Sequence, residues 1–267
     1  MTKNQVFEIL KQAGGVRAAR IIVDNLNSIS VFRLYWIVRQ LRRGVPVAKI
    51  INQRWFFGLK FYTNKYTLDP RPDTETLVSA VISDYVKNCE LRILDLGTGT
   101  GCIIASLVKN MYGSSGVGID KSWRAIKVAR KNVRDLGLGQ NVKIIRADFS
   151  KLNKNLGLFD VIVSNPPYIA RGDRRVDCGA MYDPDIALYA DDNGLSAYRV
   201  IAKNAGAWLK NGGKIYLEIG QGQTKNVKDI FSDMGWRFLR TECDLAGVER
   251  VLVFARGGID NVYEKIN

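Results

Sequence analysis

Apolar side chains recur at three- and four-residue intervals at the start of the chain. They run through Val6, Ile9 and Leu10, then Ala18, Ile21, Ile22 and Leu26, then Phe32, Tyr35, Trp36, Val38 and Leu41. Gly14-Gly15, Asn27-Ser28 and Gly44 with Pro46 interrupt the pattern. This spacing predicts three short amphipathic helices packed as a small bundle over residues 1–45. From Val47 to Thr67 the composition turns to β-branched and aromatic residues around Gly58, which predicts a β-hairpin linker over 46–70. Its aromatics, Trp55, Phe56, Phe57, Phe61 and Tyr62, suit packing within the hairpin or between domains, with a stacking platform for nucleic acid as the alternative.

Beyond residue 91 strands and helices alternate. The apolar run Leu91-Arg92-Ile93-Leu94-Asp95-Leu96 feeds Gly97-Thr98-Gly99-Thr100-Gly101, and a helical stretch follows from Cys102 to Asn110. Strand, glycine loop and helix in that order open a nucleotide-type βαβ unit. The next strand, Gly116-Val117-Gly118-Ile119, ends in Asp120, placed to accept both ribose hydroxyls of a nucleoside. A dinucleotide fingerprint requires G-x-G-x-x-G, and Cys102 stands where its third Gly would be. The G-x-G-x-G form resembles the first motif of class I S-adenosylmethionine methyltransferases. Strands at 142–146 and 159–164 follow. Between them, Asp148 is a candidate for the adenine amine and Phe149 for stacking on the ring, because ligands of open α/β sheets lie at the carboxyl ends of the strands.

Charge and composition narrow the chemistry. The 267 residues include 40 Lys+Arg, 26 Asp+Glu and no His, a formal charge of +14. Without imidazole there is no Ser-His or Cys-His nucleophile pair, no His general base and no His-ligated metal, and no metal is expected. Cys89, Cys102, Cys178 and Cys243 form no C-x-x-C pair and read as reduced thiols. The N-terminus has no apolar signal segment, no apolar run is long enough to span a bilayer, and a cytoplasmic location is expected. Residues 1–70 carry 12 basic against 3 acidic side chains, a net +9 of the +14. That end is therefore expected to face an anionic or acidic partner.

The strand ending at Ser164 runs into Asn165-Pro166-Pro167-Tyr168. Two prolines stiffen the backbone and remove two N–H donors, leaving acceptors suited to a planar NH2 group. An amide nitrogen is a poor nucleophile because its lone pair is delocalised. If the Asn165 side-chain oxygen and the Pro166 carbonyl accept its two protons, the lone pair can be aimed at a methyl donor as the nitrogen becomes tetrahedral. The Tyr168 ring can pack on the substrate group and favour the developing cation. Positioning and electrostatics carry such a reaction, which needs no strong base.

With these motifs the chain is similar to the peptide chain release factor glutamine methyltransferases of the HemK/PrmC type. Further segments carry the resemblance: Pro70-Arg71-Pro72-Asp73-Thr74-Glu75, Tyr182-Asp183-Pro184, Asp192-Asn193-Gly194-Leu195, Leu217-Glu218-Ile219-Gly220 and Asp244-Leu245-Ala246-Gly247 with Arg250. The resemblance implies a class I, Rossmann-like methyltransferase domain over 71–267, preceded by the helical domain and the hairpin linker. It implies S-adenosylmethionine as cofactor, held by Gly97, Thr98, Gly99, Thr100, Gly101, Asp120, Phe149 and Asn165, to which the strand-end position of Asp148 adds that residue. The implied substrate is the glutamine of the Gly-Gly-Gln motif of class 1 release factors, held by Asn165, Pro166, Pro167 and Tyr168, with Asn165, Pro166 and Tyr168 as the catalytic set. The chain departs from the family pattern at Asp183, usually Glu, at Ala190, usually Gly, and at Ala48-Lys49-Ile50-Ile51-Asn52, usually Tyr-Ile-x-Gly. The alternatives are an adenine- or guanine-amine methyltransferase acting on RNA or DNA, and an inactive cofactor-binding scaffold that binds RNA.

Overall fold

The computed structural model describes residues 1–26, 28–85, 90–152, 156–173 and 178–257. Asn27 and Cys89 lie outside them. The chain begins with α1 (Lys3–Asn25), α2 (Val31–Arg42) and α3 (Val47–Ile51). Thr2 and Gln5 form a capping box at the start of α1, and the Ser30 side chain caps α2. Gly15, at φ 83°, breaks the helical geometry inside α1, so the two segments separated by Gly14-Gly15 form one kinked helix. Val6, Leu10, Ala19, Ile22, Leu34, Ile37, Leu41, Ile50 and Ile51 form a core of their own.

Two expectations for this region change. The buried stripe of α2 is Leu34, Ile37 and Leu41, whereas Phe32 and Tyr35 are 89% and 72% exposed, with Trp36 beside them. Two apolar stripes interleave on one helix, and only the aliphatic one meets α1. The segment read as wholly hairpin begins with α3. The ladder itself is shorter, β1 (Gln53–Phe56) with β2 (Leu59–Tyr62), antiparallel with Phe56 opposite Leu59. Phe57 and Gly58 turn it with positive φ at both positions, the geometry that matches strand twist. Phe56 and Phe61 are buried edge to face, while Trp55 stays exposed.

A turn of 3-10 helix at Pro72–Thr74 leads into α4 (Glu75–Asp84). There follow β3 (Arg92–Leu96), α5 (Cys102–Asn110), β4 (Ser115–Asp120), α6 (Trp123–Asp135), β5 (Val142–Arg146) and β6 (Phe159–Ser164). The short strands β7 (Ile169–Ala170) and β8 (Tyr189–Ala190) pair with one another, flanking a 3-10 turn at Cys178–Tyr182 and α7 (Asp185–Leu188). The chain continues through α8 (Asp191–Gly194), α9 (Ser196–Asn204), β9 (Leu209–Glu218), α10 (Thr224–Asp233), β10 (Trp236–Cys243) and β11 (Glu249–Arg256).

Seven strands form one sheet in the order β10-β11-β9-β6-β3-β4-β5, with β11 antiparallel to both neighbours and the other pairings parallel. Strands buried on both faces read as continuous apolar runs, and their side chains divide between two cores. Ile93, Val161, Val163 and Val251 pack under α4, α5 and α6. Leu94, Ile162, Ile215, Leu217 and Leu252 pack under α9 and α10. The chain leaves β3 toward β4 on one side and meets β6 on the other, so a crevice opens at the carboxyl end of β3. No helix among the described residues is long and apolar enough to cross a membrane.

Gly116 of β4 lets α5 lie close on the sheet. A Cβ there would stand 2.3 Å from Ile104 Cδ1 and 2.8 Å from its Cγ1. Gly116→Ala should therefore cost about 1–3 kcal/mol through overpacking, read as a lower midpoint in urea unfolding; an unchanged midpoint would show that Ile104 has room to turn away.

Candidate active site

The crevice is framed by the loop after β3. Gly97, Gly99 and Gly101 all have positive φ, at 75°, 55° and 78°. The amides of Gly97 and Thr98 both donate to the Ile119 carbonyl on β4. A Cβ on Gly97 would meet nothing within 4 Å, so the bare backbone faces open space that a ligand can use. Gly118 serves the opposite purpose: a Cβ there would lie 2.8 Å from the Thr98 hydroxyl. Asn132 of α6 ties the loop to the hairpin, its Nδ2 donating to the carbonyls of Thr100 and Tyr62 while its Oδ1 accepts from the Tyr62 amide.

Asp120 stands at the end of β4. Its Oδ2 accepts from the Gly99 amide at 3.0 Å and its Oδ1 from the Ser122 amide at 2.8 Å. Burial raises its pKa, opposed by those two amides and by the Lys121 charge. Gly97, Thr98, Gly99, Thr100, Asp120, Phe149, Asn165 and Pro167 all line one cavity. The sheet thus brings together most of the residues proposed for the cofactor, although Gly101 is set back as the first residue before α5, against Ala129. Asp148 does not reach the lining. Its Oδ1 takes hydrogen bonds from the Ser150 hydroxyl and amide, which lower its pKa.

Asn165 follows β6 directly, and its Nδ2 donates to the Thr74 hydroxyl at 3.1 Å. This contact joins residues 91 positions apart and commits one end of the carboxamide. Pro166 is buried and Tyr168 half-buried; neither lines the cavity. The Tyr168 ring packs against the core beneath β6 and β9, and its hydroxyl donates to Glu218 Oε1 at 3.3 Å. The Tyr168 side chain braces the loop from behind.

Glu218 is the residue that sequence reasoning left without a role. It ends β9, is 1% exposed, and burial pushes its carboxyl up to about 7. Thr74 as a side-chain donor, the Arg250 charge and the Tyr168 hydroxyl favour the charged form, although Oε2 has no partner at full hydrogen-bond geometry. Arg250 is itself held by Asp244 at 2.8 Å and Asp73 at 3.1 Å. Motifs far apart in sequence therefore meet around one buried acid. A second acid inside an apolar strand, Asp95, accepts from the Thr98 hydroxyl at 2.6 Å, and burial raises it to about 7 as well. An acid embedded in an apolar strand run is the signal that could have found both. Cys102 is a buried thiol pushed up to about 12 by burial, so it supplies no nucleophile.

Comparison with known proteins gives the site a context. Residues 87–232 match a family model described as a methyltransferase domain. The chain is 39% identical over 236 residues to the release factor glutamine methyltransferase of Agrobacterium fabrum, covering 84% of this chain and 79% of the relative. It is 37% identical over 241 residues to the bifunctional methyltransferase of Rickettsia typhi, covering 82% of this chain but only 46% of that longer protein. A methyltransferase structure from Pyrococcus furiosus superposes with a TM-score of 0.58 at 18% identity, covering 76% of this chain and 91% of the other, which supports the fold.

The two strand acids make stability depend on pH. Their ordinary values are 3.8 for Asp95 and 4.5 for Glu218, and both rise to about 7 in the fold, so the native state holds these protons more tightly than the unfolded chain. The contribution is full in acid and is lost as pH rises through about 7. Glu218→Gln should flatten part of the fall in unfolding free energy between about pH 4.5 and 7, measured by denaturant titration at several pH values; identical slopes in variant and parent would contradict this.

Proposed function

Because this chain belongs to the release factor glutamine methyltransferase family, we propose that it methylates the side-chain amide nitrogen of the glutamine in the Gly-Gly-Gln motif of class 1 release factors. S-adenosylmethionine is the cofactor. The open backbone face at Gly97 and the anchored Asp120 carboxylate fit a nucleoside carrying a short polar tail and no pyrophosphate. Gly97 to Thr100 would hold the tail, Asp120 the ribose hydroxyls and Phe149 the adenine ring. When bound, the cofactor supplies a methyl group on a positively charged sulfur.

The observation that carries the reading is the Asn165 to Thr74 hydrogen bond in the cavity wall. A carboxamide presents either an acceptor or a donor to a ligand. With one Nδ2 proton donated to Thr74, the carboxamide is anchored by its donor end and Asn165 can offer Oδ1, the acceptor that a glutamine NH2 requires. The Pro166 carbonyl, which has no N–H to compete with it on its own residue, is the second acceptor in this reading. Two accepted protons localise the lone pair and disperse the positive charge that develops on nitrogen during transfer. The proton leaves once the alkylated nitrogen has become acidic, so the absence of His is no obstacle.

The basic N-terminal helices are read as the docking side for the protein substrate. Arg39, Arg42 and Arg43 stand on and just beyond the last turn of α2, with the exposed Phe32, Tyr35 and Trp36 on the same helix. A surface both aromatic and cationic suits an acidic protein face with apolar contacts at its centre.

Labelled S-adenosylmethionine offered with a release factor, its Gln→Ala variant, ribosomal RNA and DNA separates the readings. Label is expected on the release factor alone, absent from the Gln→Ala variant, at a rate that falls with added salt. Label on nucleic acid with a blank release factor would establish a nucleobase-amine methyltransferase instead, and no transfer to any of them, despite cofactor binding, would leave a scaffold.

A further inference from the structure

Arg71 stands on the partition between two hollows. It lines the cofactor cavity with Pro184 and Ala187, and on its other side it lines a groove against α1 with Arg17 and Ile21. Its Nη2 donates to Asp183 Oδ2 at 2.8 Å. The Asp183 carboxylate is 1% exposed, and its Oδ1 lies 2.8 Å from the Lys49 ammonium. Lys49 belongs to α3, whose Ile50 and Ile51 sit in the N-terminal core. Its side chain is 5% exposed, and Nζ is also 2.9 Å from Asp69 Oδ1 and donates to the carbonyls of Asn64 and Thr67. One residue before Asp183, the Tyr182 hydroxyl donates to the Arg43 carbonyl at the end of α2.

Two consecutive residues at the edge of the cavity wall are therefore held by the N-terminal helices. The buried charges balance: ammonium and guanidinium against two carboxylates. Without Lys49, Asp69 would lose its ion-pair partner and Asp183 would keep only the partly exposed Arg71. Burial already raises the Asp183 pKa, with the Asp69 charge adding to it and Lys49 and Arg71 opposing. An uncompensated buried carboxylate protonates or moves, and either change loosens its grip on Arg71.

We propose that Lys49 is a positioning residue for the cofactor: through Asp183 it holds Arg71 and the start of α7 against the cavity, so the N-terminal helices set how tightly S-adenosylmethionine is bound. The inference rests on the assignment of the cavity to the cofactor. It makes the N-terminal unit part of the cofactor site as well as a surface for the substrate.

The test is calorimetric titration of the full chain with S-adenosylhomocysteine, beside steady-state methyl transfer to the release factor. Lys49→Met and Asp183→Asn should each raise the Kd about tenfold. KM for the cofactor should rise in parallel, and kcat at saturating cofactor should fall by less than about threefold. Lys49→Met with Asp69→Asn removes the excess buried charge while leaving Asp183 untethered. It should recover the melting temperature while the Kd stays raised, and it carries the test if Lys49→Met alone does not fold. An unchanged Kd in folded Lys49→Met, or recovery of both Kd and melting temperature in the double variant, would overturn the proposal. Asp120→Ala checks the premise separately: unaltered binding there would refute the cavity assignment, whereas lost binding leaves Lys49 to be judged on its own result.

Discussion

The hydrogen bond from the Asn165 amide to the Thr74 hydroxyl is the contact on which the proposed reactive geometry depends. A threonine hydroxyl can accept and donate at once, and the charge of an ionised Glu218 carboxyl favours a Thr74 hydroxyl proton turned toward it. That leaves Thr74 to accept from Asn165, which fixes which end of the carboxamide faces the cavity. The arrangement is costly to build, because it places a carboxyl at the end of an apolar inner strand. Arg250, anchored by Asp73 and Asp244, offsets part of that cost while locking the Asp73-Thr74 turn against β11.

The parallel half of the fold was legible from the sequence because its signals are local. Apolar strand runs, a glycine loop directly after the first and an acid ending the second place Gly97 to Thr100 and Asp120 at one crevice without tertiary knowledge. Asn165 was legible for the same reason, since Asn-Pro-Pro follows a strand end. Thr74 and Glu218 stand in motifs of their own, but what they do depends on long-range contacts: one lies in a 3-10 turn before the sheet, the other at the end of β9, and only folding brings them near Asn165. Tyr168 adds a contact that its place beside the prolines does not announce: its partly buried ring packs against the core and its hydroxyl reaches Glu218.

The N-terminal region failed in an instructive way. Periodicity alone cannot tell which of two interleaved apolar stripes is buried, and α2 buries Leu34, Ile37 and Leu41 while exposing its aromatics. The Lys49 segment, read as part of a hairpin, proved to be a helix whose ammonium is buried among oxygens, because two carboxylates from distant segments are waiting for it. Both outcomes follow from partner geometry, which the chain specifies only collectively.

The most direct measurement of the central claim is single-turnover methyl transfer by Asn165→Ala, Thr74→Val and Thr74→Ser, each set beside its calorimetric affinity for S-adenosylhomocysteine. If Thr74 turns the Asn165 oxygen toward the substrate amide, Asn165→Ala and Thr74→Val both lose on the order of 10²–10³ in rate with cofactor affinity largely retained, and Thr74→Ser restores the rate. Full activity in Thr74→Val, or affinity lost in proportion to rate in Asn165→Ala, would contradict the account.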